Sequence, residues 1–355
     1  MANENDNKLL HVLNRLLGLI VFLVILLIAM GILLYKYMPD YVPPLEEEIT
    51  SSESVLDLAS TEAKDTVIYR QAPDVSTLEG ASNKDLIVYG KDIIVNTAHY
   101  FGPQGKVGKA YTNGMNCQNC HLDAGTKAFG NNYFAVASTY PKFRARSGAM
   151  ENIYKRVNDC FERSLNGKAI DTTSKEMQAI VEYIKWLGQD VPKGSSPSGS
   201  GLKSLAFLER AASPEKGKLF YSQKCTSCHQ ADGLGLMNAD KTTYTYPPLW
   251  GEHSYNDGAG LFRMSNFAKY IKYNMPLGAS HNSPMLTDEE AWDIAAYVNS
   301  QSRPHKNIKK DWPKIEEKPF DHPFGPYTDG FSEEEHKYGP FQPIKDKSTL
   351  LKKKK

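Results

Sequence analysis

Net charge is nearly absent from this chain: 42 Lys and Arg stand against 41 Asp and Glu in 355 residues, leaving +1. Such a balance offers no basic footprint and argues against a nucleic-acid partner. Cysteine is scarce, and its count of five is odd, so internal pairing into disulfides leaves one over. Zinc-ribbon spacing is missing as well. A ribbon sets its two Cys pairs about 15–20 residues apart, whereas Cys117 and Cys225 are 108 positions apart. A thioredoxin-like site opens a helix inside a βαβ pattern, and neither pair has such surroundings.

What is present is the pentapeptide Cys-x-x-Cys-His, twice: Cys117-Gln118-Asn119-Cys120-His121 and Cys225-Thr226-Ser227-Cys228-His229. This is the attachment signal for a c-type haem, with two thioethers on the porphyrin and the histidine on iron. Two copies predict two covalently bound haem c groups. Cys117, Cys120, Cys225 and Cys228 are then the attachment sites, and His121 and His229 the proximal ligands. The remaining cysteine, Cys160, has no sulfur left to pair with. A buried thiol acting as a small hydrophobe is one reading. The other is an axial ligand, favoured by its place 39 residues after His121, where a cytochrome chain folds back over the open haem face. A thiolate donates strongly and lowers the reduction potential relative to methionine.

Leu16 to Leu34 are 19 consecutive uncharged, mostly aliphatic residues. At about 1.5 Å per residue they reach nearly 30 Å, the thickness of the hydrocarbon core. A cleaved signal peptide has a shorter apolar region and a small-residue cleavage site. Here the run passes directly into Tyr35-Lys36-Tyr37, so an uncleaved anchor is expected for residues 1–40. Covalent haem attachment in bacteria takes place outside the cytoplasmic membrane, which puts the remaining domains in the periplasm. Residues 41–84, rich in acids and Ser/Thr, read as a spacer.

The two haem segments repeat beyond the pentapeptide. Thr173-Ser174-Lys175-Glu176 and Thr287-Asp288-Glu289-Glu290 each read as a capping box before an amphipathic helix. Those helices carry the aromatic pairs Tyr183/Trp186 and Trp292/Tyr297, suited to packing across a first helix at Asp85–Thr97 or Pro214–Ser222. The Pro/Gly/Ser run within 191–204 reads as a flexible linker. The expected fold is mainly α: two tandem class I cytochrome c domains, 85–190 and 205–302, with an N-terminal transmembrane helix. Residues 303–355 hold many prolines and aromatics, which suits an extended C-terminal wrap.

The units differ at the open haem face. Asn274-Met275-Pro276-Leu277 resembles the Met-Pro of single-haem cytochromes, making Met275 the expected distal ligand of the second iron. Met285, Met237 and Met264 are less suitably placed, and His281 would give a bis-histidine site. The first unit offers Cys160 instead. Around it lie Lys142, Arg144, Arg146, Lys155, Arg156 and Arg163, opposed by Glu151, Asp159 and Glu162. Mixed charge of this kind commonly forms a solvated face. Beside a thiolate-ligated iron, guanidinium forks also suit sulfur oxyanions.

Asn113-Gly114-Met115-Asn116-Cys117-Gln118-Asn119-Cys120-His121-Leu122-Asp123-Ala124-Gly125 resembles the first haem site of the dihaem thiosulfate dehydrogenase/tetrathionate reductase family. Arg156-Val157-Asn158-Asp159-Cys160-Phe161-Glu162-Arg163-Ser164-Leu165-Asn166-Gly167 resembles its ligand segment, and the similarity spans roughly 85–343 through Tyr255–Gly260, Asn274–Gly278 and Pro323–Tyr327. The resemblance implies an oxidoreductase converting two thiosulfates to tetrathionate and two electrons, reversibly. It implies Cys160 as distal ligand of a catalytic haem, with Arg146, Arg156 and Ser164 lining the substrate pocket and Met275 on an electron-transfer haem. The redox partner would be a cytochrome c or a quinol-linked membrane chain. Some members carry a lysine before this methionine; here it is Asn274. Two other functions share these motifs: an electron carrier without sulfur chemistry, and a cysteine-ligated subunit of the multienzyme sulfur-oxidation system.

Overall fold

The computed structural model describes residues 4–37, 69–239 and 241–353. Residues 41–68, most of the expected spacer, lie outside the described residues, as do Lys354 and Lys355. Two compact units separate, one N-terminal and one from Asp65 onward. In the first, Glu4–Tyr37 is one continuous helix, α1. Its segment Val12–Met30 is long and apolar enough to cross a membrane, and it is exposed throughout.

The larger unit is mainly helical and contains two similar helical arrangements. The first is built on α2 (Lys84–Val95), α3 (Ile153–Arg163) and α4 (Lys175–Leu187). The second uses α5 (Pro214–Lys224), α6 (Met264–Asn274) and α7 (Asp288–Ser300). The strands are short antiparallel hairpins, β1 (Lys142–Arg144) with β2 (Ala149–Glu151), and β3 (Leu236–Met237) with β4 (Tyr244–Tyr246).

In each arrangement the first helix crosses the last one so closely that only glycine fits at the crossing. A Cβ on Gly90 would lie 2.0 Å from the carbonyl oxygen of Ala179, and one on Gly217 would lie 1.8 Å from that of Asp293. The next contact at each crossing is the Cβ of a tyrosine four residues on, Tyr183 or Tyr297. The same local solution therefore occurs twice. Around the first crossing the buried Ile93, Ile94, Met177, Ile180, Ile184 and Leu187 form a core with Phe134 and Phe161. Around the second, Tyr221, Phe267, Ile271, Trp292, Ile294 and Val298 do the same.

The helix starts are set by side chains that satisfy orphan amides. At α7 the expected capping box is present: Thr287 Oγ1 accepts from the Glu290 amide, and the Glu290 carboxylate accepts from the Thr287 amide. At α4 the cap falls one residue later than Thr173. Asp171 accepts from both the amide and the hydroxyl of Thr173, so Ser174 caps instead, accepting from the Met177 amide. Glu176, freed from the box, accepts from the Tyr89 hydroxyl at 2.9 Å.

The linker differs from the flexible expectation. Its backbone is tied to the loop that follows the first haem motif: the Phe129 amide donates to Gly199 at 2.7 Å and the Asn131 amide to Gly201. Asn132 Nδ2 donates to Gly199 as well. A run without apolar side chains still has carbonyls to satisfy, and this loop supplies their donors.

Residues after 302 wrap over both arrangements. Phe341 and Ile344, from the helix Phe341–Lys353 (α9 here, following α8, Glu333–Tyr338), bury fully in the second core, each contributing about 1.5–3 kcal/mol. Asp321 is completely buried and accepts from Arg263 Nε and Nη2 and from the Ser265 amide and hydroxyl. Other tail residues reach the first arrangement: Asp311 pairs with Arg163 at 2.9 Å, and the Trp312 amide donates to the Arg146 carbonyl.

Alanine at Gly90 or Gly217 is expected to force its helix crossing apart, lowering stability by about 1–3 kcal/mol or more in thermal unfolding. Serine at an exposed helical site in the same protein serves as the control, and an unchanged melting temperature for both glycine variants contradicts the crossing geometry. A second expectation concerns acid. Burial alone would raise the Asp321 carboxyl, but Arg263 and Ser265 outweigh it and hold it below its ordinary value. Its stabilisation is thus complete above the unfolded carboxyl pKa of about 3.9 and fades as pH falls through the lower folded value. Asp321→Asn should lose about 3–5 kcal/mol at neutral pH, toward the lower figure because Arg263 keeps some water. Below pH about 3 the gap between the proteins should narrow in urea titrations.

Candidate active site

The first haem-attachment motif lies on a tight turn, Cys117–Asn119, fixed by the residues around it. The Cys117 amide donates to Thr97 Oγ1 at 3.0 Å, Gln118 Nε2 donates to the Val95 carbonyl, and Asn116 accepts from the Ala98 amide. The motif is thereby locked to the end of α2. His121 follows, stacked on Tyr133 with ring centroids 4.5 Å apart. Its Nδ1 donates to the Asn131 carbonyl at 2.6 Å. Phe129 and Asn131 both adopt left-handed backbone, φ 58°, which turns this loop over the ring. With Nδ1 committed, Nε2 is the nitrogen left for a metal.

The second motif repeats that arrangement. His229 Nδ1 donates to the Pro247 carbonyl at 2.8 Å, and burial lowers the imidazole's pKa, keeping it in the neutral, ligating form. Met275 follows directly after α6, half-buried against the second core. The alternatives are placed elsewhere. Met264 is buried at the start of α6, Met285 and Met237 are exposed, and His281 packs between Tyr69 and Phe129. Asn274 Nδ2 donates to the Phe129 carbonyl, tying the Met275 segment to the first arrangement.

Cys117, Cys120 and His121 open onto a cavity of about 440 Å³ that Cys160 also lines. That size lies within the range for small-molecule and cofactor sites. The lining is largely apolar, with Ile94, Met115, Val136, Phe161, Ile180 and Ile184. Two attachment thiols at one wall, a histidine with one committed nitrogen and an apolar slot fit a covalently held haem. Thr97, Asn131 and Pro247 were not legible as partners of the motifs, because two act through backbone carbonyls that any residue supplies.

Three of the four expected catalytic residues come together. Arg156, Cys160 and Ser164 are spaced four apart at and beyond α3, on one helical face, and all three line the cavity. Arg146 does not line it. Its guanidinium donates to Asp159 at 2.9 Å, which also takes Lys155. The cavity is reached instead by Lys142 and Arg144, whose positions in β1 are two apart and so share a face. That alternation was the available signal; Arg146 lies past it, in the hairpin turn.

Electrostatics separate Cys160 from its neighbours. Burial pushes the Cys117 and Cys120 thiols up to about 12. Burial acts on Cys160 in the same direction, but the Arg156 guanidinium and a hydrogen bond with His121 outweigh it and bring this thiol down to about 7. Of the three sulfurs lining the cavity, Cys160 is therefore the one whose surroundings favour the thiolate, the form that ligates and attacks.

Residues 108–192 match the family model described as SoxA/TsdA, cytochrome c domain, and residues 214–302 that described as Cytochrome c. A thiosulfate dehydrogenase from Psychrobacter arcticus is 39% identical over 273 residues, 76% of this chain and 78% of that protein. One from Allochromatium vinosum is 40% identical over 196 residues, covering 54% and 71%. Among solved structures, the as-isolated thiosulfate dehydrogenase (TsdBA) of Marichromatium purpuratum aligns with a TM-score of 0.61 and 29% identity, covering 67% of this chain. The match spans half the length of that longer chain. Each cytochrome c domain carries one attachment motif, which gives two covalently bound c-type haems. By sequence, fold and paired haem sites, this chain belongs to the thiosulfate dehydrogenase family of dihaem cytochromes c.

Proposed function

We propose that this chain interconverts thiosulfate and tetrathionate, two thiosulfates giving one tetrathionate and two electrons, at the cavity holding Cys160. The observation that carries the reading is the single cavity in which a haem-attachment motif meets a thiolate-favouring cysteine, Arg156 and Ser164. His121 and Cys160 would hold the iron of the first haem, and His229 and Met275 that of the second. Bound haem supplies the electron sinks, at lower potential with a thiolate ligand and higher potential with methionine.

The residues then divide the work. When not holding the metal, the Cys160 thiolate would bond the outer sulfur of one thiosulfate, and the two electrons released as that sulfur–sulfur bond forms would be taken up by the two bound haems, one each. A second thiosulfate attacks the same outer sulfur. The bond to Cys160 breaks, its electron pair returns to the thiolate, and tetrathionate departs. Arg156 neutralises sulfonate charge through its two-point fork, a charge-assisted contact contributing about 1.5–3 kcal/mol, and Ser164 offers a hydroxyl donor. Arg146, held on Asp159, positions α3 from behind. The exposed apolar segment Val12–Met30 serves as a membrane anchor, with the domains in the periplasm and electrons exchanged with a small cytochrome or a quinol-linked chain.

Purified full-length protein is expected to oxidise thiosulfate and reduce tetrathionate with artificial redox dyes and no partner chain. Absence of both activities returns the protein to simple electron carriage. Cys160→Gly should retain both haems, lose the low-spin thiolate signal in electron paramagnetic resonance, and lose turnover by about a thousandfold or more. An unaltered thiolate signal removes Cys160 from iron. Met275→Gly should lower the second haem's potential and abolish the long-wavelength methionine–iron band, while substrate still binds at the first site. Persistence of that band would reassign the ligand to Met264 or Met285.

A further inference from the structure

Joining two thiosulfates brings two dianions to the Cys160 side of the site, and the residues assigned so far serve one of them. Arg156 and Ser164 lie on the face of α3 that carries Cys160. The β1–β2 hairpin lines the same cavity. Lys142 and Arg144 turn from it into the cavity, while Phe143 between them is 50% exposed on the outer side. Among the described residues, neither cation has a hydrogen-bond acceptor. Lys142 lies over the Tyr140 ring at 5.1 Å, and the nearest carboxylate to Arg144 is Glu151, 3.9 Å from Nε.

Glu151 is the second observation. It is the register partner of Lys142, only 3% exposed, and neither of its carboxylate oxygens has a hydrogen-bond partner. A buried carboxylate without a partner is costly unless charge nearby holds it. Here Arg144 and Arg156 both act on the same pocket. Lys142 has its pKa lowered, first by burial and then by Arg144 and Arg156. The hairpin wall sets two cations, Lys142 and Arg144, against one carboxylate, Glu151.

We propose that Lys142 and Arg144 form the subsite for the second thiosulfate, with Glu151 behind Arg144 as a positioning residue. The inference rests on the thiosulfate–tetrathionate reading above. The subsite holds the sulfonate of the attacking thiosulfate while its outer sulfur forms a bond to the outer sulfur already on Cys160. The bond to Cys160 breaks in the same step and the electron pair stays on Cys160 as thiolate. No proton and no further oxidant are needed. The first half-reaction uses Arg156 and Ser164 and proceeds without the hairpin.

The test uses holoenzyme of the full chain, with thiosulfate as the probe. Arg144→Gln and Lys142→Gln should each raise the thiosulfate KM about tenfold or more, with both haem spectra and midpoint potentials unchanged. Mass analysis of the Cys160 peptide during turnover should show the thiosulfate adduct accumulating in these variants relative to wild type. Arg144→Lys, which keeps charge and loses the fork, should fall between. Glu151→Gln should raise KM several-fold at unchanged kcat, with Glu151→Asp restoring it. Should Arg144→Gln fail to fold, Lys142→Gln, at the strand's start, carries the test alone. An unchanged KM in folded variants overturns the subsite. So does a shifted haem potential with unchanged KM, which would assign these cations to the haem's own carboxylates. If wild-type protein turns over neither sulfur substrate, the function reading fails and the subsite with it; active wild type beside unaltered variants removes the subsite alone.

Discussion

Burial and charge pull in opposite directions at Cys160, and Arg156 together with His121 decides between them. A sulfur in a cavity lined by Ile180, Ile184 and Phe161 would ordinarily keep its proton. Arg156, one helical turn earlier on the same face, and His121 weaken that preference. Because Cys160 and Arg156 share a helix, their geometry depends on how α3 is held. Asn158 exchanges two hydrogen bonds with the backbone of Ile170, fixing the helix against the segment that follows it. Asn256, from the second cytochrome domain, donates to the Glu162 carbonyl and to Asn166 at the helix end. Asp311 of the tail takes Arg163. The reactive face is thus braced from three directions by groups that never enter the cavity.

The two domains share a scaffold and differ in the element that carries the sulfur proposed to reach iron. Both use a glycine crossing, and both direct a histidine by committing Nδ1 to a backbone carbonyl. In the first domain the approaching element is α3 with Cys160 inside its last turn. In the second it is the extended residue immediately after α6. A ligand within a helix carries neighbours at four-residue spacing, so Cys160 comes with Arg156 and Ser164. A ligand on extended chain does not, and Met275 has Asn274 and Pro276 beside it instead. Under the proposed ligation, this difference suits one site to chemistry and the other to electron relay.

Much of this was readable from residue order alone, for local reasons. The attachment motifs, the odd cysteine and the Met-Pro step are each defined within a few residues. The Thr287 cap was legible because its partner is three residues away. The Thr173 cap was not, because Asp171 competes for the same donors. The linker looked flexible from composition, yet composition does not show that the loop at 129–132 has donors facing it. Arg146 and Arg144 are equivalent as sequence; only the position of the hairpin turn decides which one meets the cavity and which meets Asp159.

The Trp312 amide on the Arg146 carbonyl, with Asp311 on Arg163, joins residues about 150 positions apart in the chain. A growing chain meets its partners in order, N-terminal parts first. The first haem motif and Cys160 therefore exist as polypeptide long before the segment that braces their hairpin and helix has been made. Contacts of such sequence separation carry a high closure entropy, so the hairpin and helix that line the cavity are held in part by contacts that are costly to close.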